Sequence, residues 1–257
     1  MKRTALPLNF HHLKPRPYVL VNGLSVALQN IQAVLSRYTV CVVAVNDDPT
    51  YPVTLCGSGT LLCYSGRLYM VCCYHQVKDV DLSRIGIFAS DEAVVITASG
   101  VLQFAQDNVS EANDIIAFDF TESVKGTPSL QSLFFNFRAI PPNAPSTHTA
   151  FLQVAGFSFE HQEYHLGEEE SRLGLVKVKV IYQLERPSND RAVLVLRTAE
   201  GPLNFNPNGL SGGSAFSVQF VNDKAMAFFA GMICRAGASE AYMIKSNYIE
   251  AALRSSR

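Results

Sequence analysis

The chain has 257 residues, 48% of them hydrophobic and 17% charged, which suits a large folded core and excludes a disordered polymer. Lys and Arg number 21 against 22 Asp and Glu, a formal net charge of -1, so the basic excess typical of nucleic-acid or anionic-membrane binders is missing. No apolar run reaches the ~18 residues of a transmembrane helix, and the start from Met1 to His12 lacks a signal-like apolar stretch; a cytoplasmic protein with no membrane or nucleic-acid partner is expected. Residues 1 to 23, with Pro7, Pro15 and Pro17, read as an irregular arm. Leu24, Leu28, Ile31 and Leu35 then recur at helical spacing, predicting an N-terminal helix that ends near Tyr38. That helix either packs on the outside of the main domain or docks a regulatory protein partner. Residues 1–38 are thus an arm and helix ahead of a domain spanning 39–257.

From Thr39 onward short β-type runs alternate with turns. The predicted strands are Val40–Val45, Val53–Cys63, Leu68–Cys73, Ile85–Phe88, Ala93–Thr97, Ile115–Phe120, Ala150–Phe157, Leu175–Tyr182, Ala192–Arg197, Ser214–Val221, Met226–Ile233 and Tyr242–Lys245. So many short strands with few helices argue for an all-β barrel or sandwich. The Pro-rich joint Pro141-Pro142-Asn143-Ala144-Pro145 divides the β region into lobes of about 39–140 and 146–257. Asn247-Tyr248-Ile249-Glu250 has the form of a capping box opening a short C-terminal helix. The six cysteines (Cys41, Cys56, Cys63, Cys72, Cys73 and Cys234) form no Cys-x-x-Cys and fall mostly in apolar runs, so buried free thiols are expected rather than a metal site.

The most informative stretch is Asn208-Gly209-Leu210-Ser211-Gly212-Gly213-Ser214. Glycines around one serine permit a tight backbone that can aim several N–H groups at a point beside the hydroxyl, as an oxyanion hole requires. A serine hydroxyl is a weak nucleophile and needs a base. All six histidines (His11, His12, His75, His148, His161 and His165) precede Ser211, and the serine leads into a strand-like run. Both facts exclude the α/β-hydrolase elbow, which needs a helix after the serine and a later histidine. His75 closes the apolar run from Leu68 to Tyr74 and so emerges at a strand end. Asp114 opens the apolar run Ile115-Ile116-Ala117-Phe118, where a carboxylate needs hydrogen-bond donors such as an imidazole N–H. Asp119 and Asp107 are the alternative acids. The order His75, Asp114, Ser211 is that of chymotrypsin and differs from subtilisin's.

On these residues the chain resembles the trypsin-like serine peptidases of the chymotrypsin fold, most closely their compact intracellular bacterial branch. The resemblance is carried by Gly57-Ser58-Gly59-Thr60-Leu61-Leu62 before Leu68 to Val77, by Asp114-Ile115-Ile116-Ala117, by Val154-Ala155-Gly156-Phe157, by the Gly-x-Ser-Gly-Gly loop and by Ala230-Gly231-Met232-Ile233. It runs from about Val40 to the C-terminal helix. It implies two antiparallel six-stranded β-barrels with the site in the crevice between them. His75 would act as general base and acid, Asp114 as its orienting carboxylate, Ser211 as nucleophile, and the Gly209 and Ser211 N–H groups as the oxyanion hole. No metal or organic cofactor is implied, and the substrate would be a protein or peptide. Phe205 falls where trypsin itself carries the charge at the base of its primary pocket, so a preference for Lys or Arg is not implied. Met232 and Arg235 fall near the expected pocket wall. The competing readings are a protease-like module that holds a peptide or partner without cutting it, and a peptidase active only with a partner. His161 and His165, four apart with Glu163 between them, are expected in a solvated loop rather than at a zinc site.

Overall fold

The computed structural model describes residues 17–89, 94–104, 110–137, 149–166 and 171–255. It is mostly β, in two large sheets. The first holds β3 (Thr39–Val45), β4 (Val53–Tyr64), β5 (Arg67–Cys73), β6 (Ile85–Ala89), β7 (Val94–Thr97), β8 (Gly100–Gln103), β9 (Ile115–Asp119) and the two-residue β10 (Phe135–Asn136). Their order is β7-β6-β3-β4-β5-β9-β8, with β10 beside β4, and among the described residues no pairing joins β7 to β8, so this sheet is a half-barrel. The second holds β11 (Thr149–Leu166), β12 (Ser171–Pro187), β13 (Val193–Thr198), β14 (Ser214–Val221), β15 (Lys224–Ala236) and β16 (Glu240–Lys245). Here β14 pairs with both β11 and β15, which closes the six strands into a ring. The strands expected between Val40 and Lys245 are all found or overlapped. The Pro141–Pro145 joint lies outside the described residues, as does Asp107.

The N-terminal helix needs correcting. β1 (Tyr18–Val21) and β2 (Leu24–Ala27) form a hairpin, followed by a 3-10 turn at Leu28–Asn30 and only a six-residue α1 (Ile31–Ser36). Asn22 and Gly23 turn the hairpin at φ +51° and +83°, a conformation that Asn-Gly favours. Leu24 is 71% exposed while Ile31 and Leu35 are buried, so the four leucine-type residues do not share a face. The hairpin joins the second sheet through a parallel contact between β1 and β15, and it is not a detached arm. α1 buries Ile31 and Leu35 in the apolar cluster between the sheets. A one-turn α2 (Pro128–Gln131) follows β9, and the C-terminal helix α3 (Ser246–Ser255) is present and buries Ile249, Ala252 and Leu253. Its Glu250 accepts hydrogen bonds from Arg254 and Tyr64.

Buried apolar side chains form four clusters: one within the half-barrel, one within the ring, and two in the seam between the sheets, the smaller of these made of Cys41, Val43, Leu55 and Phe157. In the seam Val71, Cys73, Ile115 and Ala117 of the first sheet meet Phe216, Phe229, Met232 and Cys234 of the second, and α1 and α3 close its flanks. Each fully buried side chain of this size contributes roughly 1.5–3 kcal/mol, so the seam holds the two sheets as one body. The cleft lined by His75 and Ser211 opens on this seam.

Candidate active site

The register of β5 and β9 brings the first two site residues together. Cys73 pairs with Ile115, so the residue two beyond the end of β5 and the residue just before β9 must be neighbours. His75 sits in a 3-10 turn (Tyr74–Gln76) and Asp114 in another (Glu111–Asp114). One carboxylate oxygen of Asp114 accepts the His75 backbone N–H at 2.8 Å, and the other lies 2.6 Å from His75 Nδ1. The imidazole side chain is 48% exposed and the carboxylate 20%, so the ring faces the cleft with the acid behind it. The Asp114 hydrogen bond raises the His75 pKa above 6.5, against the opposing effect of desolvation, with Glu111 adding to the rise. Asp119, the alternative acid, is committed elsewhere: it is buried and pairs with Arg67.

The turn carrying Asp114 is itself held from the second sheet. Asp190, in the connection between β12 and β13, accepts from the Glu111 N–H at 2.6 Å, from Ser110 Oγ at 3.0 Å and from the Ala192 N–H at 2.8 Å. Those bonds keep the Asp190 carboxyl below the usual range, against its partial desolvation. Across the same edge Arg235 of β15 meets Glu111 at 3.1 Å while its guanidinium lies 3.9 Å over the Tyr242 ring.

Ser211 is carried by the loop between β13 and β14, and the glycines around it are required by space. A Cβ at Gly209 would meet the Phe157 carbonyl oxygen at 2.4 Å, one at Gly212 the Ser58 carbonyl oxygen at 1.9 Å, and one at Gly213 the Ala155 carbonyl oxygen at 2.3 Å. Gly209 and Gly212 also have φ of +97° and +80°, where side chains are strained. Leu210 buries its side chain over Gly156 and anchors the loop. Ser58 ties the loop to the first sheet: its Oγ donates to the Gly209 carbonyl at 2.7 Å and accepts from the Phe157 N–H at 2.8 Å, while its N–H donates to the Ser211 carbonyl at 3.2 Å. Thr60 Oγ1 adds a bond to the Gly212 carbonyl at 3.0 Å. Within the loop the N–H groups of Leu210, Gly212 and Gly213 are used, on Pro207, Ile233 and Leu210 carbonyls. Those of Gly209 and Ser211 meet no acceptor among the described residues.

His75, Asp114, Gly209, Ser211, Cys234 and Arg235 all line one cleft of about 710 Å³. In it the Ser211 hydroxyl donates to the Cys234 carbonyl at 3.0 Å, so the serine rests on the β15 edge rather than on the imidazole. Phe205 does not reach this cleft. It lines a separate hollow with Lys179 and Glu200, its ring 5.7 Å from that of His161. Met232 is fully buried in the seam, paired with Ser214 and Ile244, and does not line the cleft. Of Phe205, Met232 and Arg235 only Arg235 lines the cleft.

Two possible metal sets resolve into other roles. His161 and His165 lie in strand β11 rather than in a loop, and four residues of strand separate them by roughly 13 Å, too far for one ion. His165 pairs with Glu163 at 3.3 Å. Cys73, His75 and Asp114 have donor atoms within 4.8 Å of one another. Yet Cys73 is fully buried, burial and then Asp114 push its thiol well above 9.0, and its proton goes to the Ile233 carbonyl at 3.4 Å. With Nδ1 of His75 already on the carboxylate, the trio is built for hydrogen bonding. Sequence reasoning missed Gln76, Glu111, Asp190 and the Cys234 carbonyl as members of the site, because each acts through a contact distant in sequence.

No known family model matches the chain, and no curated protein matches it.

Proposed function

We propose that the protein is a serine endopeptidase of chymotrypsin-like architecture, its half-barrel and ring corresponding to the two barrels and its cleft to the crevice between them. The observation that carries this reading is the His75 Nδ1 to Asp114 Oδ2 bond at 2.6 Å in the same cleft as Ser211. With Nδ1–H held on the carboxylate, Nε2 is the free lone pair that can take the Ser211 proton. Ser211 Oγ then bonds to the peptide carbonyl carbon, and the oxygen that gains charge is received by the Gly209 and Ser211 N–H groups. Collapse expels the amine, which leaves with the proton from His75 Nε2, and water cleaves the resulting ester by the same route in reverse. The hydroxyl must first leave the Cys234 carbonyl, a bond worth roughly 1 kcal/mol and within reach of substrate binding.

That same Ser211–Cys234 bond favours a second reading, in which the hydroxyl stays parked until a partner protein moves it, or the cleft holds a peptide without cutting it. Following new amino termini by mass spectrometry in a denatured protein mixture tests the proposal. Wild type should generate them at discrete sites and Ser211→Ala should not. Equal, background cleavage by both proteins alone, with peptide still retained by the cleft, would leave the holding module as the better reading.

A further inference from the structure

Gln76, immediately after the imidazole residue, touches both halves of the site with one side chain. Its Oε1 accepts the Cys73 N–H at 2.9 Å, which closes the turn that presents His75. Its Nε2 donates to the Ser211 carbonyl at 2.6 Å and reaches the Ser58 carbonyl at 3.4 Å. The surroundings are cleared for it. A Cβ on Gly57 would lie 1.9 Å from Gln76 Nε2, and one on Gly212 would lie 2.8 Å from Oε1. Gly57 of β4 and Gly212 of the Ser211 loop therefore make room for this amide, and both of its polar ends are used inside the protein. The primary amide is the side chain that accepts at one end and donates at the other without charge.

We infer that Gln76 is a positioning residue for the reaction, an amide strut that fixes the Ser211 loop against the turn carrying His75. The inference rests on the peptidase reading. The strut acts on the Ser211–Gly212 peptide, and through it on the direction of Ser211 Oγ and the Ser211 N–H. Loss of the strut frees the loop by an ångström or so, a displacement that can lower a rate about 100-fold without touching substrate affinity.

Two substitutions separate this role from simple packing. Gln76→Met keeps the length of the side chain and removes its hydrogen bonds to Cys73, Ser58 and Ser211. Gln76→Glu keeps the acceptor toward Cys73 but, when ionised, sets a carboxylate against the Ser211 carbonyl; when protonated, it can donate there again. The rate of reaction with a fluorophosphonate at saturating reagent, and its half-saturation concentration, should be measured from pH 5 to 9 for full-length wild type and both variants. The expected result is a drop of about 10- to 100-fold in the limiting rate for Gln76→Met at every pH, with half-saturation changed less than about 3-fold. For Gln76→Glu the ratio to wild type should climb as the pH falls, since its proton returns the donor. Limiting rates equal to wild type in both variants, or a Gln76→Glu ratio flat across pH, would overturn the strut while leaving the peptidase reading in place. A wild type that never reacts would instead overturn the peptidase reading, and this inference with it.

Discussion

Replacing Asp114 by Asn changes one atom and should reverse the imidazole. The His75 backbone N–H, 2.8 Å from Oδ1, can only be met by the amide oxygen, because the amide nitrogen would set donor against donor. The amide NH2 must then face His75 Nδ1, now 2.6 Å from a carboxylate oxygen. Nδ1 becomes the acceptor, the ring proton moves to Nε2, and the lone pair that would take the Ser211 proton disappears. Fixing the wrong tautomer removes the base while sparing the cleft and the two free N–H groups, which corresponds to a loss of ~10⁴-fold in rate. At 1.36 kcal/mol per decade that is ~5 kcal/mol of transition-state stabilisation. The assay is the rate of fluorophosphonate incorporation at pH 7.5, read by intact mass, with a thermal melt to verify folding. Asp114→Asn reacting within about 10-fold of wild type would refute the tautomer argument. Loss of folding would be answered by Asp114→Glu, which retains the charge and tests only its placement.

Three further outcomes follow from the same geometry. The rate of Ser211 modification should rise with pH through a single inflection above 6.5, because the Asp114 bond keeps His75 protonated longer and only the neutral ring is a base; an inflection at or below 6.5 in wild type would contradict the pairing. Gly209→Ala should fold with a melting temperature lowered by a cost of about 1–2 kcal/mol for the positive φ and should fail to react, since the new Cβ collides with the Phe157 carbonyl and moves a donor; unchanged reactivity would remove Gly209 from the oxyanion site. Burial lowers the Lys177 pKa from 10.5 to about 8, where its ammonium donates to the Ser36 carbonyl at 2.9 Å. Between those values the unfolded chain binds more protons than the folded one, so this residue makes stability rise with pH by at most ~3 kcal/mol; urea midpoints of wild type and Lys177→Met should diverge in slope across pH 8 to 10.5, and parallel curves would count against the burial.

Most strands of the two sheets could be read from their apolar and alternating runs, although the alternation of Val176 to Val180 does not map simply onto a packed and a solvated face: Val176 is 51% exposed while the Lys177 ammonium reaches the Ser36 carbonyl. The N-terminal hairpin could not be read that way. Leu24, Leu28, Ile31 and Leu35 fit a helical spacing by coincidence, and the signal that mattered was the Asn22-Gly23 turn between two short apolar runs. The same limit applied to His161 and His165, whose polar surroundings suggest a loop although the backbone continues as β11 paired with β12. At the site, His75, Asp114 and Ser211 were legible because their chemistry announces itself at strand ends and in a glycine-rich loop. Gln76, Asp190 and the Cys234 carbonyl were not, since an amide, an acid in a turn and a backbone oxygen have no local mark. Phe205 and Met232 were placed by the family resemblance, which does not follow the way the 199–208 connection and the β15 strand pack here. Only the folded chain shows that Met232 points into the seam and Arg235 into the cleft.

The central claim is that an activated serine sits at the seam of the two sheets. The direct measurement is peptide mapping of the protein after brief exposure to a fluorophosphonate at neutral pH. One adduct per chain on Ser211, absent from His75→Ala and from protein unfolded in urea, is the expected result. No adduct under conditions where the fold is intact, or adducts spread over several serines and tyrosines, would contradict it.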